Sequence, residues 1–236
     1  MDVLSEVWAR ILPQAPDVQD GPWWACAALA AALLAVTVPM VWTRVRPAVT
    51  IVHELGHAIV GMLLGRRFTG FVVSADMSGH AVTVGPRRGF GRVASTWAGY
   101  PAPAVIGALL VQLAFSGFAG LVLLVGVLVL LGSLLFARSL HTLTAVVLAA
   151  ALAGAVWWWG GPIGAAGLVL GGGVLLLLGA WRHLGAVMSG GRRHDDPQQL
   201  AELTGAPAWL WNGSFLLVIA ACTGWGALVL MDAPLL

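Results

Sequence analysis

The chain is patterned as long apolar stretches separated by short polar punctuation. Seven stretches stand out, at about Trp23–Trp42, Ala48–Leu64, Val93–Ala114, Phe118–Phe136, Thr142–Trp159, Pro162–Ala180 and Ala208–Met231. Most approach the roughly 20 residues that cross a hydrocarbon core about 30 Å thick. The pattern predicts an all-α polytopic membrane protein with about six to seven transmembrane helices. Ahead of the first stretch, Val3, Leu4, Val7, Trp8, Ile11 and Leu12 recur at helical spacing opposite Asp2, Glu6 and Arg10. That arrangement predicts an interfacial helix within residues 1–20. Arg44, Arg46 and Pro47 read as a tight turn between the first two spans.

Between residues 66 and 92 the texture changes to β-branched, Gly and polar residues. Phe71-Val72-Val73 and Ala81-Val82-Thr83-Val84 flank Ser78-Gly79, the signature of a β-hairpin beside the membrane. A second polar stretch, residues 189–207, reads as a loop before the last span. The whole chain, residues 1–236, is then one membrane domain.

Composition agrees, with 59% hydrophobic and 9% charged residues against the roughly 25% charged of soluble domains. A net charge of +2 without basic–aromatic clusters excludes a nucleic-acid partner. The two cysteines exclude a disulfide framework. Charge bears on topology, since cytoplasmic loops are enriched in Arg. With the N-terminus inside, ten of the twelve arginines fall on the cytoplasmic side and only Arg44 and Arg46 outside. An N-terminus in the cytoplasm is therefore expected, as are a cytoplasmic hairpin and a cytoplasmic Asp195-Asp196 segment. Trp157-Trp158-Trp159 is expected to form an interfacial belt.

The chemistry lies in the second apolar stretch, which contains His53-Glu54-Leu55-Gly56-His57. Residues four apart share a helical face, so both imidazoles can hold one zinc ion while Glu54 reaches an activated water. Glu54 is the one acid inside an apolar stretch, and a carboxylate at that depth costs about 2.5–3.5 kcal/mol. A hydrolytic zinc site takes three protein ligands and leaves one position open. For the third, Asp195, Asp196, His183 and His194 all precede the last span. His80 and His141 read as local hydrogen-bonding residues.

With these motifs the chain resembles the site-2 protease family of intramembrane zinc metallopeptidases, and more closely its small B-like bacterial branch. The resemblance rests on His53-Glu54-Leu55-Gly56-His57-Ala58, the Ser78-Gly79 hairpin, Ala98-Gly99-Tyr100, and Asp195-Asp196-Pro197 through Leu200-Ala201-Glu202-Leu203-Thr204-Gly205-Ala206-Pro207. It implies Asp196 as third ligand, with Asp195 the alternative, and one zinc ion per chain. It also implies cleavage in or near the transmembrane segment of a membrane-protein substrate in the lipid bilayer of a bacterial plasma membrane. Glu54 would act as the base, and the hairpin would offer an edge to the substrate strand. The Gly-Pro-x-x-Asn element of many relatives is replaced by Gly99-Tyr100-Pro101-Ala102-Pro103. It lacks the Asn, which leaves Tyr100 as a candidate oxyanion donor. The alternative reading is a metal-binding membrane protein without proteolysis, serving structure, metal handling or partner binding.

Overall fold

A computed structural model describes residues 2–14, 21–74, 79–190 and 195–233. An amphipathic helix α1 (Val3–Ile11) stops before Pro13 and is followed, beyond the described gap, by α2 (Trp23–Thr37) and α3 (Pro39–Leu63). The strands β1 (Arg67–Val73) and β2 (Gly79–Val84) form the hairpin. Then come α4 (Phe90–Trp97), α5 (Pro101–Phe115), α6 (Ala119–Leu134), α7 (Leu140–Trp159) and α8 (Gly161–Met188). The chain closes with a short α9 (Asp196–Thr204) and α10 (Ala208–Asp232). This is an all-α polytopic membrane fold carrying one two-stranded antiparallel sheet.

Two breaks differ from the sequence pattern. The turn expected at Arg44–Pro47 is not there, because α3 runs through Pro47 and the chain bends at Val38 instead, by 102°. Val38 is extended and Pro39 occupies the start of α3, the combination that ends one helix and opens another. Likewise the expected single span from Val93 to Ala114 is two helices bent by 58° about Ala98–Tyr100, with Pro101 opening α5. Three helices (α7, α8 and α10) are long and apolar enough to cross a membrane, and each bent pair adds one more by the same measure. At 16 residues, α6 spans about 24 Å.

Helix α8 is the hub. Its apolar positions, among them Leu170, Leu177, Ala180 and Leu184, are buried against α2, α5 and α10. In lipid such packing replaces the hydrophobic drive, and small residues permit it. A Cβ on Gly107 of α5 would lie 2.7 Å from the Gly173 carbonyl oxygen, and one on Gly173 would lie 2.8 Å from that of Gly107. The two backbones therefore touch.

The bundle has two distinct ends. At one, Arg10 of α1 donates to the Trp157 carbonyl and its guanidinium lies 4.8 Å over the Trp158 ring, while Gln14 N–H donates to the Gly117 carbonyl. About 32 Å along α8 from Gly161 is Arg182. It lines a cavity with Arg46, Arg92 and Asp196. Arg66 and Arg138 belong to this second end, bonded to Thr83 and Thr69 of the hairpin. The expected side assignment is thus corrected: Arg46 shares an end with Arg92 and Arg182, and Arg10 lies opposite. The reason is the misplaced turn. Since α3 starts at Pro39 and both Arg46 and the Arg66 that follows it sit at the second end, α3 is not a full crossing. Among the described residues, α7, α8 and α10 and the two bent pairs give up to five candidate spans, and α6 is a shorter apolar helix beside them.

In the hairpin, Phe71 pairs with Ala81 and Val73 with Gly79, with an irregularity between Phe68 and Gly70. Ser78 lies outside the described residues. The outer edge of β1 is occupied by this chain, since Phe71 N–H donates to the Phe136 carbonyl and Arg138 N–H to that of Phe71. Only β2 keeps an edge without a neighbouring strand among the described residues.

The Gly107–Gly173 contact predicts that Gly173→Val destabilises the fold by about 1–3 kcal/mol, as overpacking does. Gly172→Val, with nothing within 4 Å of the added carbon, is expected to be neutral. Thermal unfolding in detergent of the two variants checks this.

Candidate metal centre

Helix α3 presents His53 and His57 on one face, and Asp196 reaches them from the first turn of α9. His53 Nε2 and His57 Nε2 are 3.1 Å apart. Asp196 Oδ2 is 3.3 Å from the first and 3.2 Å from the second. Metal–ligand bonds of about 2.0–2.1 Å in a tetrahedron put donors about 3.3–3.4 Å apart. The triangle therefore has the dimensions of one tetrahedral face. These are the three residues of the chain's described part whose donor atoms can hold a metal ion.

Local contacts set the donor atoms. His57 Nδ1–H donates to the Ser95 carbonyl at 2.7 Å, and the Ser95 hydroxyl donates back to the His57 carbonyl at 2.9 Å. That bond fixes the tautomer and leaves the Nε2 lone pair for a ligand. Asp196 Oδ2 is buried without an aligned hydrogen-bond donor among the described residues. A carboxylate oxygen left in that position beside two imidazole nitrogens matches a cation between them. Burial would raise the Asp196 carboxyl, but the neighbouring imidazoles, His57 foremost, outweigh it and hold the group below the ordinary carboxylate range. It is an anion at neutral pH, the state a metal ligand needs.

The segment read as a loop at residues 189–207 contains α9. Asp195 is its N-cap and Gly205, in the left-handed conformation, ends it. The sequence signal was present: Asp195-Asp196-Pro197 opening and Gly205 closing a helix. Pro197 and Leu200 are buried, and Arg92 Nη2 donates to Gln199 Oε1 at 3.1 Å, tying α9 to α4. An anion at the N-terminus of α9 is also favoured by the helix dipole.

Two glycines let backbone close around the site. A Cβ on Gly99, at the α4–α5 break, would overlap the rings of His57 and His53. One on Gly79, at the start of β2, would overlap the Glu54 carboxylate. Glu54 is only 3% exposed and lines a cavity of about 600 Å³ shared with the donor triangle. Tyr100 also lines it, its ring edge-on to His53 at 4.9 Å and stacked on Phe215 at 4.9 Å.

The remaining candidates divide. Asp195 lines the cavity but is not in the donor triangle. His183 also lines it, its ring 6.3 Å from that of His53, and stands outside the triangle. His194 lies outside the described residues. His80 borders the cavity, and His141 does not. Ser95 was not legible in advance; nothing in its sequence surroundings distinguishes it from a packing serine.

With this geometry in place, the family model described as Peptidase M50B-like matches residues 26–226. The chain belongs to that family, a class of membrane metallopeptidases, and so to the site-2 proteases it resembles in sequence. No curated protein and no solved structure matches the chain.

The overlap at Gly99 predicts that Gly99→Ala weakens metal affinity by about 10–100-fold, the range seen when groups supporting metal ligands are disturbed. Competition with a chromogenic chelator measures it, and circular dichroism is expected to show unchanged helix content.

Proposed function

We propose that the chain is a zinc endopeptidase that hydrolyses a peptide bond in or next to the transmembrane segment of a membrane-protein substrate. The observation that carries this is the triangle of three donors, 3.1–3.3 Å apart, opening onto the cavity that also holds Glu54. Two imidazoles and one carboxylate suit zinc, which takes such donors in hydrolytic sites. His53, His57 and Asp196 would hold one ion per chain. When bound, the ion supplies Lewis acidity, lowering the pKa of a water and polarising a carbonyl.

The chain's own residues supply the rest. Glu54 takes a proton from the attacking water and hands it to the leaving amine. The Tyr100 hydroxyl donates to the carbonyl oxygen as negative charge builds there, the role left open by the missing Asn of the Gly99–Pro103 element. The free edge of β2, whose Gly79, His80, Ala81 and Thr83 border the cavity, pairs with an unfolded stretch of substrate through main-chain hydrogen bonds. Asp195 remains in the wall as a neighbouring charge. One domain, residues 1–236, carries all of this.

The distribution of arginines gives an orientation. Arg46, Arg66, Arg92, Arg138 and Arg182 gather at the site end and Arg10 at the other, so the site end faces the cytoplasm of a bacterial plasma membrane. The N-terminal helix then lies on the outer side, the reverse of the expectation from the sequence.

Purified wild-type protein is expected to carry near one zinc per chain, and Asp196→Ala far less. Glu54→Gln is expected to keep its zinc while losing about 10²–10⁴-fold in cleavage of a co-expressed membrane reporter. Wild type without zinc after reconstitution overturns the reading. For orientation, with Cys26 and Cys222 replaced by Ala, Ser5→Cys is expected to react with an impermeant maleimide in intact cells and Arg87→Cys only after lysis.

A further inference from the structure

The cavity extends well past the donor triangle. Trp42, Arg46, Thr50, His53 and His57 of α3 all line it, and their spacing of three or four residues puts them on one helical face. Arg46 is therefore two turns, about 10 Å along the axis, from His53. Across from it, Arg182 of α8 lines the same cavity, with its guanidinium carbon 4.6 Å from the centre of the Trp42 ring. His183 bridges the two regions, its ring 6.3 Å from Trp42 on one side and 6.3 Å from His53 on the other.

Among the described residues no acid pairs with Arg182. Its Nη1 donates to the Val36 carbonyl, near the end of α2, and no other hydrogen bond or ion pair from it falls among the described residues. A guanidinium has five N–H donors in a planar fork, and carboxylates are the groups that fit it. Trp42 beneath it is 5% exposed. The described acids in the cavity wall, Glu54, Asp195 and Asp196, belong to the donor triangle or sit beside it.

Resting on the peptidase reading, we propose that this end of the cavity is a carboxylate subsite. It selects substrate strands carrying an acidic side chain, or the chain's terminal carboxylate, about five residues from the scissile bond. The spacing follows from the three turns, about 16 Å of helix axis, between His53 and the Trp42 that lies beneath Arg182, against roughly 3.3 Å per residue of extended strand. Phosphate of an anionic lipid would satisfy the same charge. The substrate is favoured because Arg182 lines the same cavity as Glu54, Tyr100 and the donor triangle.

The test uses zinc-loaded, full-length Glu54→Gln protein in neutral detergent micelles. Its probes are fluorescein-labelled Ala/Leu peptides with one Asp, or Asn in its place, and amidated or free C-termini. The amidated Asp peptide, or the Asn peptide with a free terminus, is expected to bind about tenfold or more tighter than the amidated Asn peptide. Which of the two does so names the source of the carboxylate. The preference is expected to vanish in Arg182→Gln and to survive in Arg182→Lys. Equal affinities for all peptides overturn the subsite, and that comparison requires no Arg182 variant to fold. Arg182-dependent binding of phosphatidylglycerol that abolishes the peptide preference overturns it too. Cleavage of the same peptides by wild type is scored separately. Charge preference without cleavage leaves the subsite and removes the peptidase reading, and cleavage without preference does the reverse.

Discussion

The structure depends on one constraint: a carboxylic acid and two imidazoles sit inside an apolar helix and must be given partners there. A charge left buried in the protein without a partner costs about 3–5 kcal/mol. Much of the surrounding architecture answers that demand. Ser95 accepts from His57, α9 brings Asp196 to both rings, and β2 lays its backbone against Glu54. Three separate parts of the chain thus converge on two turns of α3.

Convergence of that kind requires backbones to come closer than side chains normally permit. The breaks in the helices supply the room. At Ala98–Tyr100 the α4–α5 bend puts Gly99 against both histidine rings, and a straight helix there would turn a different face to the site. At Val38 the 102° bend lets α3 start and finish at the same end of the bundle. Its polar face then stays at the end of the bundle where Arg92 and Arg182 line the cavity. The prolines that follow each break are local in effect but set this global outcome.

How much of this the sequence discloses follows the range of the interactions. His53, Glu54 and His57 are legible because their chemistry is encoded within one helical turn and is costly to hide in lipid. The hairpin is legible from its β-branched runs. Asp196 could be narrowed only to a set of four until the resemblance selected it, since its role depends on where α9 docks. The topology was misjudged for a related reason. Arg44, Arg46 and Pro47 look like a loop because Pro usually interrupts helices, yet α3 continues through Pro47, which is buried. In membranes such a proline is tolerated where neighbours stabilise the freed backbone, and only the tertiary structure shows those neighbours. One misplaced turn then reversed the side assigned to Arg10.

Placing that turn at Val38 also reconciles the charge pattern with the chemistry. The cavity wall at this end is polar, lined by Thr50, His80, Arg92 and Arg182 among others. Arg46, Arg92 and Arg182 border the same cavity as Glu54 and Asp196, so positive charge gathers at the end of the bundle that holds the donor triangle. The polar strip of α3 running from Arg46 to His57 lies on one helical face, lines the cavity along its length and ends at the donor triangle.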